Sequence, residues 1–178
     1  MNVTLRRISD HGCVTLIGMA GAGKSTIGRI LAGRTGWAHV DTDHLIEAWW
    51  GRDLQAISDA LGRDRFVAAE EEIVAGLGLK RCIISTGGSV VYGPRAIEKL
   101  KSFGPIVHLD PGFEEIRRRV ELNPDRGLAI APGQTLADLY SERRALYEAA
   151  ANFFVDTKNF SPEQSAEKIL DWLGQDES

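Results

Sequence analysis

The chain has little cysteine, no surplus of positive charge and no long apolar run. Only Cys13 and Cys82 occur among 178 residues. Each opens a short strand-like apolar run, so a disulfide framework is excluded and buried, reduced thiols are expected. The formal net charge of −4 argues against a protein that coats nucleic acid, because phosphate-backbone binding shows as a basic excess. Any anion must therefore be captured locally. No segment approaches the roughly 20 apolar residues of a membrane helix. Arg6, Arg7, Asp10 and His11 precede the first apolar run, without the basic start, apolar stretch and cleavage site of a secretory leader. A cytoplasmic chain with no membrane partner is expected. The four histidines lack metal-ligand spacing, so no structural zinc is expected.

The apolar segments that are present are short and β-rich: Cys13 to Ile17, Trp37 to Val40, Cys82 to Ser85, Ile106 to Leu109 and Phe153 to Val155. Such runs suit strands buried on both faces. Between them lie segments of helical spacing, at Lys24 to Thr35, Asp43 to Trp50, Leu54 to Leu61, Phe66 to Leu77, Pro94 to Ser102, Phe113 to Glu121, Thr135 to Ala150 and Pro162 to Leu173. Alternation of this kind predicts an α/β fold of three layers, α/β/α, around a mostly parallel five-stranded sheet. Residues 1–178 fit one domain. Asp43 is a candidate N-cap, Gly51 a helix stop, and Pro94 and Pro162 first-turn residues. The stretch 122–134, with two prolines, two glycines and no clear periodicity, is expected to be a flexible lid.

After the first strand comes Gly18-Met-Ala-Gly21-Ala22-Gly23-Lys24-Ser25, a complete phosphate-loop motif between a strand and an amphipathic helix. Its glycines permit a tight turn that aims backbone N–H groups at phosphate oxygens, and the helix N-terminus adds partial positive charge. Lys24 would reach the β- and γ-phosphates, and the Ser25 hydroxyl would ligate Mg²⁺. ATP and Mg²⁺ are the expected cofactors, with Gly18, Gly21, Ala22, Gly23, Lys24, Ser25 and Thr26 on the nucleotide. No guanine-reading Asn-Lys-x-Asp occurs, and no apolar strand ends in paired acids. Both absences favour transfer to a bound small molecule over a switch GTPase or a motor. The second strand ends in Asp41-Thr-Asp43-His-Leu-Ile-Glu47, placing two carboxylates at the sheet's carboxyl edge. Asp43 is suited to take a proton from an attacking hydroxyl, and Asp41 to hold a magnesium-bound water.

The phosphate loop together with Asp-Thr-Asp-x-x-Ile-Glu resembles the shikimate kinases, and the likeness runs from about Val14 to Leu173. Phe66-Val67-Ala-Ala-Glu70 is similar to that family's Phe-Arg-x-x-Glu, and Thr86-Gly87-Gly88-Ser89 to its triple-glycine strand end. Arg117 to Arg119 resembles a helix whose last arginine approaches the adenine. Arg126 falls where a flap arginine meets the transferred phosphate. Arg143-Arg144-Ala145-Leu146-Tyr147 resembles an Arg-x-Pro-Leu-Tyr element whose first arginine binds the acceptor carboxylate, and residues 156–162 resemble a loop packed on the adenine. The resemblance implies Lys24, Asp43 and Arg126 in catalysis, and Arg119 on the nucleotide. It implies Asp43, Val67, Gly87, Gly88, Ser89 and Arg143 on the acceptor, and Ser25 and Asp41 on the metal.

The departures fall on the acceptor pocket. Val67 stands where the family has a carboxylate-binding arginine, and Ser89 where it has a third glycine. Losing one charge-assisted hydrogen bond of about 1.5–3 kcal/mol weakens binding roughly ten- to a hundredfold, enough to change a substrate. Arg144 points about 100° from Arg143 on a helix and is a poor substitute. The Trp49-Trp50 pair lies beside the acceptor segment, with core or edge packing the expected use of all four tryptophans. A shikimate kinase is therefore expected first and a kinase of another small hydroxylated acid or amino acid, such as homoserine, second. A non-catalytic ATP-binding module or a nucleotide kinase is expected last. The chain is expected to act as a monomer or weak homodimer on a small-molecule substrate, without nucleic acid.

Overall fold

The three central strands are buried along their whole length, which a sheet achieves only when helices cover both of its faces. The structure, a computed structural model, describes residues 12–122, 128, 130–131 and 133–174. Its strands are β1 (Cys13–Ile17), β2 (Ala38–Asp41), β3 (Cys82–Ser85), β4 (Ile106–Asp110) and β5 (Phe153–Asp156). Their order in the sheet is β2-β3-β1-β4-β5, and every pairing is parallel, not mostly so. The helices are α1 (Lys24–Thr35), α2 (Thr42–Trp50), α3 (Leu54–Leu61), α4 (Arg63–Ala75), α5 (Pro94–Phe103), α6 (Phe113–Glu121), α7 (Leu136–Ala150) and α8 (Pro162–Leu173), with a 3₁₀ turn at Val90–Tyr92.

Two apolar clusters result. The larger joins β1, β3 and β4 to α1, α5, α7 and α8 through Leu16, Leu31, Ile84, Leu100 and Ile169. A smaller one, Ile46, Ile57 and Phe66, ties α2, α3 and α4 together beside the carboxyl edge of the sheet. The cysteines are free and buried, Cys13 paired in register with Cys82 across β1 and β3. None of the helices among the described residues is long and apolar enough to cross a membrane.

Local physics moves some expected boundaries. The N-cap of α2 is Asp41, not Asp43, because the Asp41 carboxylate accepts the Asp43 N–H at 3.2 Å. Thr135 is the cap of α7 and not its first residue, forming a reciprocal capping box with Asp138. Helix α4 begins at Arg63, three residues ahead of the expected start, since Gly62 turns the chain at φ 71° and the polar Arg63-Asp64-Arg65 forms its first turn. Trp37 is buried and Trp172 stacks on Phe153 at 4.6 Å. Trp49 and Trp50, by contrast, are exposed on the last turn of α2.

Helix α1 sits close to the sheet because Gly28 faces it. A methyl there would lie 2.7 Å from both His39 Nε2 and Ser85 Oγ, which contact each other at 2.9 Å. In an open helix Gly→Ala would stabilise by roughly 1 kcal/mol. Here Gly28→Ala is expected to destabilise by about 1–3 kcal/mol in chemical denaturation, because the overlap exceeds the propensity gain. In a background carrying both His39→Ala and Ser85→Ala, which removes both overlapping groups, the same change should become neutral or favourable.

Candidate active site

The sheet order fixes where a ligand sits. The chain leaves β1 for β2 on one side and later crosses to β4 on the other, so the crevice at the carboxyl end of β1 is a topological switch point. The loop Gly18–Ser25 lies there, beside the carboxyl ends of β2 and β3. A cleft of about 540 Å³ opens over it, lined by residues of the loop, of α2 and of the turn after β3.

Gly23 takes φ 96° as the N-cap of α1, and no side chain caps this end, which leaves its amide donors to an anion. Ala20, Gly21, Gly23, Lys24, Ser25 and Thr26 face the cleft. Gly18 and Ala22 are buried beneath it and shape the turn. Lys24, a residue only 8% exposed, donates through its ammonium to the Gly18 and Met19 carbonyls at 2.7 and 2.8 Å. Burial pulls its pKa down to about 8, against the pull of Asp43 and Asp41. From α6, Arg119 donates to the Gly21 carbonyl at 2.7 Å and to Glu115 at 2.6 Å, bracing the loop from the nucleotide side.

Ser25 Oγ donates to Asp41 Oδ2 at 2.6 Å. A hydroxyl and a carboxylate side by side, at the mouth of the phosphate loop, suit a hard cation that keeps most of its waters. The residues present therefore fit Mg²⁺.

The acceptor end is built by α2, α4, α7 and the turn after β3. Asp43 faces the cleft one helical turn before Glu47. Burial raises its pKa to about 6, opposed by Lys24 and assisted by Asp41. Gly87 is pinned by its N–H to Thr42 Oγ1 at 3.0 Å. A methyl on Gly87 would collide with Asp43 Oδ1 and with Glu70 Oε1. The two carboxylates thus converge on one face of this glycine. Glu70, 1% exposed, accepts a hydrogen bond from Ser89 Oγ through Oε2, while its Oε1 has no partner among the described residues. Burial, then Asp43, raises its pKa to about 7. Arg143, 1% exposed on α7, donates Nε–H to Tyr92 Oη at 3.3 Å, and Tyr147, one turn on, donates to the Gly88 carbonyl at 2.6 Å.

The structure thus gathers Gly21, Gly23, Lys24, Ser25, Thr26, Asp41, Asp43, Gly87, Gly88, Ser89, Arg119 and Arg143 around one cleft. Val67 is not among the described residues that line it. It is half-buried on α4, and Phe66 forms the wall. Arg126 lies outside the described residues, as does most of the lid stretch, although Leu128 lines the cleft. Arg144 pairs with Glu148 at the surface. Leu54, Phe66 and the buried acid Glu70 are site elements that motif matching did not assign. The four-residue spacing of Phe66 and Glu70 on one helix face was the available signal.

A sequence-family model described as shikimate kinase matches residues 20–174. The shikimate kinase of Enterococcus faecalis is 33% identical over 163 residues, covering 90% of this chain and 97% of that protein. That of Thermodesulfovibrio yellowstonii is 34% identical over 160 residues, covering 88% and 92%. Among solved structures, shikimate kinase from Acinetobacter baumannii in complex with shikimate superposes with a TM-score of 0.84 at 29% identity, over 95% of this chain and 96% of that one. The Aquifex aeolicus shikimate kinase gives 0.75 at 28%, over 90% and 95%. A likeness that spans the sheet, the helices over it and nearly the whole of each relative makes this chain a member of the shikimate kinase family.

Proposed function

We propose that the chain is an ATP- and Mg²⁺-dependent kinase that phosphorylates a hydroxyl group of shikimate. The observation that carries this is the convergence in one cleft of the phosphate loop, the half-buried Asp43 carboxylate and the buried Arg143 guanidinium. A nucleotide on Gly18–Ser25 and a small hydroxylated carboxylate between Asp43 and Arg143 would meet end to end. Bound Mg²⁺, held by Ser25 and the Asp41 side, would offset charge on the β- and γ-phosphates. Lys24 exchanges its two carbonyl acceptors for phosphate oxygens. Asp43 takes the proton as the acceptor oxygen bonds to the γ-phosphorus and the bond to the β-phosphate oxygen breaks, leaving its electron pair on ADP. Arg126, assigned through the family resemblance, would meet the transferred group when the 122–134 segment closes. Closure would exclude water and protect ATP from hydrolysis.

A second acceptor is favoured by one specific observation. Glu70 Oε1 and Asp43 Oδ1 converge at Gly87 with the former unpartnered, and two acids opposite Arg143 suit a zwitterion such as homoserine. Its ammonium would meet the acids and its carboxylate the arginine.

ADP release with purified protein and Mg-ATP decides between them. Saturable turnover with shikimate is expected, and turnover with homoserine alone would transfer the assignment to the second acceptor. Lys24→Ala should lower kcat by orders of magnitude. Asp43→Asn should leave the nucleotide Kd within about threefold, while kcat falls roughly 10²–10⁴-fold. In kcat/KM for ATP, activity should decline as pH falls through about 6, where the Asp43 and Glu70 pair gains protons, and again as pH rises through about 8, where Lys24 loses its charge. A flat profile between pH 5 and 9 would contradict this assignment of roles.

A further inference from the structure

Three consecutive residues of the turn after β3 are each held by a different helix. Thr42 Oγ1 on α2 accepts the Gly87 N–H at 3.0 Å, Tyr147 on α7 donates its hydroxyl to the Gly88 carbonyl at 2.6 Å, and the Ser89 hydroxyl donates to Glu70 Oε2 on α4. Each of these helices also presents a group to the acceptor end of the cleft. Asp43 follows Thr42 directly, Arg143 stands one turn before Tyr147, and Phe66 stands one turn before Glu70 on the same helix face. The turn is thus a hub that sets the Asp43 carboxylate, the Arg143 guanidinium and the Phe66 ring against one another.

The ties at Gly87 and Gly88 use backbone groups of the turn, whereas the third needs the Ser89 hydroxyl, which a glycine at this position would lack. Ser89 is 4% and Glu70 1% exposed, so neither can exchange this bond for one to water. It is also the one hydrogen bond that Glu70 makes among the described residues. We infer that Ser89 and Glu70 are positioning residues of the acceptor site: their bond fixes α4 against the turn, and with it the distance of the Phe66 wall from the Asp43 and Arg143 groups that face the acceptor. The inference rests on the kinase function proposed above and applies to either acceptor. The phosphate loop and α1 supply none of the three ties, so the effect falls on the acceptor and not on the nucleotide.

The test uses the whole enzyme and the acceptor it turns over, shikimate or homoserine, with the KM of the acceptor and that of ATP measured separately. Ser89→Ala removes the hydroxyl and little volume, and is expected to raise the acceptor KM about tenfold while the KM of ATP stays within about twofold. Glu70→Gln keeps a carbonyl oxygen for the Ser89 hydroxyl and should hold both values within about threefold of the unaltered enzyme. Glu70→Met, of similar length and without that acceptor, should match Ser89→Ala; it serves also if the alanine variant does not fold. Ser89→Ala and Glu70→Met combined should cost no more than either alone, since both cut the same bond. An acceptor KM in both single variants equal to that of the unaltered enzyme, even with a lowered melting temperature, would make the bond a structural tie only and overturn the inference, leaving the kinase assignment standing. A parallel rise in both KM values would overturn it too, because general loosening would then account for the effect. No turnover of either acceptor by the unaltered enzyme would instead overturn the kinase assignment, and this inference with it.

Discussion

The balance of charge among groups buried along one cleft governs the rest of this structure. Lys24 and Arg143 are buried beside Asp41, Asp43 and Glu70. In an environment of effective dielectric about 20, two unit charges 4 Å apart interact by on the order of 4 kcal/mol, a large share of a domain's net stability. No member can therefore be charged or neutral independently of its neighbours. Burial lowers the pKa of Lys24 and raises those of Asp43 and Glu70, so all three approach neutrality from opposite sides. In the proposed reaction a nucleotide would bring negative charge to Lys24, and a hydroxyl would give its proton to Asp43. Each step would relieve an imbalance already present in the protein.

The sheet exists to hold these groups at one edge. Parallel strands end at the same side, so Gly18 after β1, Asp41 at the end of β2 and Thr86 after β3 emerge together. The pinning bonds are short-range and specific. Thr42 fixes Gly87, Tyr147 fixes Gly88, Arg119 fixes Gly21, and Thr86 donates through both N–H and hydroxyl to the Leu16 carbonyl. Backbone positions that must approach a ligand are thus held by side chains from separate helices, while the small cluster of Ile46, Ile57 and Phe66 carries the acceptor wall as a unit.

The departures from the family pattern behave as a set. Val67 leaves α4 without a positive charge at the position after Phe66, which forms the cleft wall. Ser89 adds a hydroxyl that satisfies one oxygen of Glu70 and leaves the other open toward Gly87. The hydroxyl of Ser89 thus changes the hydrogen bonding at the acceptor end of the cleft, while Lys24, Ser25, Asp41 and Asp43 stand together toward its phosphate-loop end.

What the sequence alone determined is what depends on neighbours along the chain. The strands β1 and β3 and the helices α1, α3, α6 and α8 were legible at their boundaries, because apolar period, capping residues and prolines act locally. The phosphate loop was legible for the same reason, since contiguous residues shape it. Elements whose limits depend on distant partners were less so. Helix α4 starts at Arg63 in a polar turn that no periodicity marks, and Asp41 rather than Asp43 caps α2 because of where β2 ends. The acceptor site depended on tertiary structure most of all. Glu70, Ser89 and Asp43 are far apart in the chain, as are Tyr92 and Arg143, and each set meets only when the helices pack over the sheet edge. Phosphate binding needs a contiguous loop, whereas acceptor recognition needs charges brought together from separate helices, and only packing decides which of them meet.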